Sequence, residues 1–100
     1  MEKLNVLDRI TLMGILPVEG NYMTFKILAA LKTELSFSEA EIKKYNIREV
    51  EGRILWDMSV DKEIEIGEIA RGLIKESLKK LDELGKVNEH NISLYEKFMN

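Results

Sequence analysis

Apolar positions recur at helical spacing along most of the chain. Between Lys3 and Leu16, the residues Leu4, Leu7, Ile10, Met13 and Ile15 cover one helical face, and Pro17 and Gly20 end the run. A second stripe, Phe25, Leu28, Leu31 and Leu35 with Ile27 beside it, predicts a helix that Asn21 or Thr24 can cap. Ala29 and Ala30 in that stretch predict close helix packing. Ser38-Glu39-Ala40-Glu41 reads as a capping box: the Ser38 hydroxyl accepts from the Glu41 amide, and the Glu41 carboxylate returns to the Ser38 amide. Phe37 and Ile42 flank it as a hydrophobic staple. Asn46 suits the left-handed residue that closes the short helix, with Ile47 folding back on Ile42.

The period then changes. Glu51-Gly52 marks a turn, and Arg53 to Asp57 and Lys62 to Ile66 read as two strands. Ile54 and Trp56 would meet Ile64 and Ile66 across that pair, with Met58 to Asp61 as the loop. From Gly67 to about Leu84 a near-heptad stripe, Ala70, Leu73/Ile74, Leu78, Leu81 and Leu84, predicts the longest helix, and Gly85 stops it. Gly72 inside this helix predicts a close approach of a neighbour. Asn88 caps a final helix, with Val87 and Ile92 as a second staple.

These elements predict one α+β domain spanning 1–100, mostly helical, with about five helices and one β-hairpin packed on them. Composition agrees: 45% hydrophobic and 33% charged residues over 100 positions suit a single folded core. The absence of cysteine excludes a disulfide scaffold, a thiolate zinc site and a cysteine nucleophile. A single histidine, His90, excludes a His-rich metal site, and a net charge of −3 gives no global pull toward nucleic acid or an anionic membrane. The apolar run Ile10 to Leu16 is far shorter than the ~20 residues a membrane span needs, and it lacks a cleavage signature. The expectation is a cytoplasmic protein without a membrane partner.

Asp57 to Glu68 places Asp57, Ser59, Asp61, Glu65 and Glu68 at the ligand positions of a twelve-residue calcium loop. Lys62, however, stands where such a loop needs glycine, and the segment before it reads as a strand. An acidic hairpin is the simpler reading. Glu65 to Val87 resembles a DNA-binding helix-turn-helix, but Ala70 lies too close to Gly72 for that pattern, and one continuous helix fits better. The order helix, helix, short helix, hairpin is winged-helix-like. In that reading residues 38–45 form the recognition helix and 58–62 the wing tip, with Lys43, Lys44 and Lys62 as the DNA contacts. Glu39 and Glu41 would then face phosphates, which weighs against it.

There is no phosphate loop, HExxH motif or nucleophile–base constellation, so the chain reads as a non-enzyme with no cofactor, metal or catalytic residue. The primary expectation is a protein-interaction module using Trp56, Tyr95, Phe98 and Met99 as interface anchors. The near-heptad stripe adds a homodimer as a second expectation, and a winged-helix-like DNA binder is the alternative. The segments ILPVEGNY, LSFSEAEIKKYNI, GRILWD, KEIEIGE and LKKLDELGKVNEHNISLYEKF resemble small phage- and prophage-type bacterial proteins of uncharacterised function. That resemblance implies an accessory protein acting inside the cell through another protein, and it carries over no activity and no catalytic residue.

Overall fold

The computed structural model describes residues 2–99. In chain order the elements are β1 (Glu2–Leu4), α1 (Val6–Ile15), α2 (Tyr22–Leu35), α3 (Glu39–Tyr45), β2 (Arg48–Val50), β3 (Arg53–Leu55), β4 (Lys62–Ile64), α4 (Glu68–Glu83) and α5 (Ile92–Phe98). The fold is α+β and mostly helical, with five helices and two small antiparallel sheets among the described residues. Among the described residues, no helix is long and apolar enough to cross a membrane.

Local signals placed most helix boundaries. Asn21 caps α2 by accepting from the Thr24 amide at 2.8 Å. The Ser38–Glu41 capping box forms as expected, with both reciprocal bonds present. Asn46 takes left-handed angles (φ 52°, ψ 49°), and the Ile47 amide donates to the Ile42 carbonyl at 3.0 Å. Gly85, at φ 68°, closes α4 in the same way, with the Lys86 amide donating to the Leu81 carbonyl. The stretch from Glu68 to Glu83 is one unbroken helix, which removes the helix-turn-helix reading. Asn88 caps only a single turn, through the His90 and Asn91 amides, so α5 starts later than expected.

The chain start corrects the first prediction. A second capping box, Asn5 with Asp8, holds Asn5 in extended backbone, so the helix begins only at Val6. The three residues before it form β1. Its strand partner is β4, in the register Glu2↔Ile64 and Leu4↔Lys62. This takes β4 away from the hairpin partner expected for it.

The hairpin itself lies one strand earlier. β3 pairs with β2, in the register Arg48↔Leu55 and Val50↔Arg53. The turn is Glu51-Gly52, with φ of 52° and 78°. Two positive φ angles match the twist of a two-residue hairpin, a tighter closure than the four-residue connection 58–61. Ile54 and Trp56 therefore do not meet Ile64 and Ile66.

The core is built from α1, α2, α4, α5 and the β1–β4 pair. Leu4, Leu12, Leu28, Leu35, Ile64, Ile74, Leu78, Leu94 and Phe98 are its most enclosed members. Of the residues expected inside, Phe25, Ile42, Ile54 and Ile92 are exposed. Ala29 is exposed as well, and a Cβ added at Gly72 meets nothing within 4 Å, so neither marks the close packing expected of it.

This contrast between glycines is measurable. Gly72→Ala replaces the poorest ordinary helix former at an open helical site and should raise stability by up to about 1 kcal/mol. Gly85→Ala puts a side chain at φ 68°, and should lower stability by about 1 kcal/mol. Urea unfolding followed by circular dichroism separates the two signs.

Candidate interaction surface

Two buried charges organise the molecule beneath its surface. Arg9 of α1 is fully enclosed. Its Nε donates to the Leu35 carbonyl at 3.0 Å and its Nη2 to the Ser36 carbonyl at 2.6 Å, closing the C-terminal end of α2. Its Nη1 meets Glu41 Oε2 at 2.7 Å, and the guanidinium lies 4.0 Å from the centroid of the Phe37 ring. Asp8 accepts from the Lys97 ammonium at 2.6 Å and from the Asn5 amide at 3.2 Å, tying α1 to α5. Lys97 also donates to the Lys3 carbonyl at 2.7 Å. Neither charge was singled out in the sequence. The available signal was spacing: Arg9 falls in the stripe Val6, Leu12 and Leu16, three residues from Val6 and from Leu12.

The sequence-predicted anchors do not gather into one surface. Phe98 is only 2% exposed, and its ring lies under the Arg71 guanidinium, so it belongs to the core and is withdrawn as an interface residue. Tyr95 is half-buried and donates its hydroxyl to the Leu78 carbonyl at 2.6 Å. Burial and the nearby Asp82 push its phenol pKa upward. Trp56 is half-buried and lines a groove of about 560 Å³ between the hairpin and α1, with Leu7, Ile10 and His90. Met99 is exposed at the end of α5.

The lysines of the DNA reading separate in a similar way. Lys43 and Lys44 are exposed in the last turn of α3. Lys62 is half-buried on β4, where its charge helps hold the Glu41 carboxylate ionised. Residues 58–62 link the two sheets and are not the tip of a wing, because β3 and β4 do not pair.

The calcium-loop positions disperse as well. Asp57 is bound by Asn46 Nδ2 at 2.7 Å and by Arg48 at 3.1 Å, and both bonds lower its pKa. Ser59 Oγ accepts from the Val6 amide, and Glu68 opens α4. Among the described residues, no three metal-ligating side chains come together. His90 is exposed, with Glu89 3.9 Å away.

What the fold does assemble is a groove of about 630 Å³ between α2 and the start of α4. Leu31 and Ala70 form its buried floor, Ile27 is half-buried beside them, and Ala30 and Gly67 open it by their small size. Ile69 stands at its mouth, 67% exposed. Glu34, Glu65 and Glu68 complete the lining, which contains no lysine or arginine. The three carboxylates make no ion pair among the described residues. Arg71, one turn into α4, is engaged elsewhere by Glu2 at 3.0 Å. The sequence held no local signal for this groove, because it arises from volume missing where two distant segments meet.

Comparison with known protein families, with curated proteins and with solved structures finds no match to this chain. The geometry therefore stands alone. It defines a small α+β domain with a solvent-open apolar groove.

The Arg9–Glu41 pair makes stability depend on pH. Its hydrogen bonds with Arg9 hold the Glu41 carboxyl at a pKa of about 2, below its ordinary 4.5. The stabilisation is thus complete above about pH 4.5 and is lost as pH falls toward 2. It should amount to roughly 2 kcal/mol once solvent screening is allowed for. Unfolding midpoints across this window should fall for the natural protein and flatten in Glu41→Gln. Arg9→Ala should cost about 3 kcal/mol at neutral pH. Arg9→Lys should recover little, because the ammonium lacks the planar fork.

Proposed function

We propose that the protein is a non-enzymatic interaction module, a cytoplasmic accessory domain that holds a segment of a partner protein in the groove between α2 and α4. The observation that carries this reading is the groove itself, apolar at its floor, open to water, and flanked by the exposed Ile69. Exposed apolar surface of this kind is costly in a monomer and is characteristic of binding sites.

A symmetric homodimer through this groove is disfavoured, because it would bring the three uncompensated carboxylates of one copy against the same three of the other. The DNA-binding alternative rests on Lys43, Lys44 and Lys62. Lys62 is half-buried beside the Glu41 carboxylate, which leaves only Lys43 and Lys44 of that set exposed, on a short helix whose first turn is acidic.

The test is a selection of displayed random peptides followed by amide NMR mapping. Selected peptides should shift residues 27–34 and 65–70. Ala30→Gln fills the groove at an exposed helical position and should abolish those shifts while the rest of the spectrum stays in place. Peptides that instead map to Trp56, or to Tyr95 and Met99, would move the interface to another face. A DNA duplex that shifts residues 38–45 and 58–62 and releases them in salt would favour the alternative.

A further inference from the structure

The groove between α2 and α4 carries a second property, its charge. Its apolar floor is bordered by Glu34 from α2, Glu65 from the connection after β4, and Glu68 from the first turn of α4. None of the three has an ion-pair partner among the described residues, and no lysine or arginine lines the groove with them. Unpaired like charges around one apolar strip repel one another, and a ligand that brings cations relieves that repulsion.

The shape narrows the occupant further. One wall is helix α2 and the other is the connection after β4 with the first turn of α4, and the small residues Ala30, Gly67 and Ala70 leave room for another backbone to approach. A helix seats in such a channel by setting its own ridge of side chains between those of the walls. A bare aliphatic ligand would leave the carboxylates unanswered, and an acidic segment would be repelled.

We infer that the occupant is an amphipathic helix whose apolar stripe is flanked by lysine or arginine, held by the floor through its stripe and by Glu34, Glu65 and Glu68 through its basic edges. This rests on the docking reading above and specifies the partner's chemistry. The three carboxylates supply selectivity and the floor supplies affinity.

Three synthetic helices of about 15 residues, long enough to fold once bound, test it. They share one apolar stripe and differ only in flanking residues: lysine, glutamine or glutamate. Binding is followed by calorimetry and by amide shifts. The lysine helix should bind at residues 27–34 and 65–70. The glutamine helix should bind about tenfold more weakly, the sum expected of three exposed charge contacts, and the glutamate helix should not bind. Added salt should erase the lysine advantage. The triple variant Glu34→Gln/Glu65→Gln/Glu68→Gln should weaken the lysine helix by the same factor and leave the glutamine helix unchanged, with its fold checked by thermal unfolding. Equal binding of the lysine and glutamine helices at the groove overturns the charge inference while the docking reading stands. Absence of binding by all three, or shifts confined to other faces, overturns both.

Discussion

The arrangement of the first three helices depends on one guanidinium. Arg9 closes two carbonyls at the end of α2 and grips Glu41 in the first turn of α3. It does this from inside α1, with the Phe37 ring against its face. α3 has only seven residues, too few to hold a helix alone in water. Its stability therefore comes from its capping box and from this anchor, and Glu41 serves both at once, since its Oε1 also accepts from the Ser38 amide. The planar fork matters because its donors point to three separate acceptors in fixed directions. Asn46 and the hairpin base, mounted directly on α3, inherit their position from that contact.

The parts of the fold legible in the sequence were those set by a few neighbouring residues. The Ser38–Glu41 box, the left-handed Asn46 and the Gly85 stop each fix backbone angles locally, and each stands where its motif placed it. Strand pairing depends on long-range register, and there the reading failed in a specific way. Lys62 to Ile66 was read as a strand, but its partner was sought next to it in the chain, whereas β1 comes from the start of the chain. The Asn5–Asp8 box, an aspartate variant of the motif recognised at Ser38, was the missed clue that the first helix starts late. Arg9 was overlooked because a charge in a helical stripe reads as solvent-facing, even when its spacing places it inside. Ala30 was read as close packing and instead opens a groove. A small residue can mean either, and only the neighbouring element decides which.

The hairpin is the other prominent exposed feature, and its physics differs from that of the groove. All six residues of β2 and β3 are exposed, and Val50, Ile54 and Leu55 give it apolar character. A bare two-stranded ribbon is marginal in water. Here it is held at its base, where the Asp57 amide donates to the Tyr45 carbonyl and the Asp57 carboxylate joins Asn46 to Arg48. Arg48, Glu49 and Arg53 place charges along both short strands, the usual guard against pairing with a stray edge. Mixed charges of this kind discourage association without selecting a partner.

The groove combines the opposite features. Its apolar floor gives a partner something to bury, while its charges are of one sign and uncompensated. Like charges confined near a low-dielectric surface create a field that reaches beyond contact distance, which would speed the encounter with the basic partner proposed above. The same field would oppose a second copy presenting its own groove. Arg71 lies close enough in sequence to have neutralised Glu68, yet it is drawn off to Glu2 and to the Phe98 ring. That diversion joins two parts of the molecule: the contact fastening α4 to β1 and α5 also leaves the groove anionic. The charge of the groove is in this way a by-product of how the core closes.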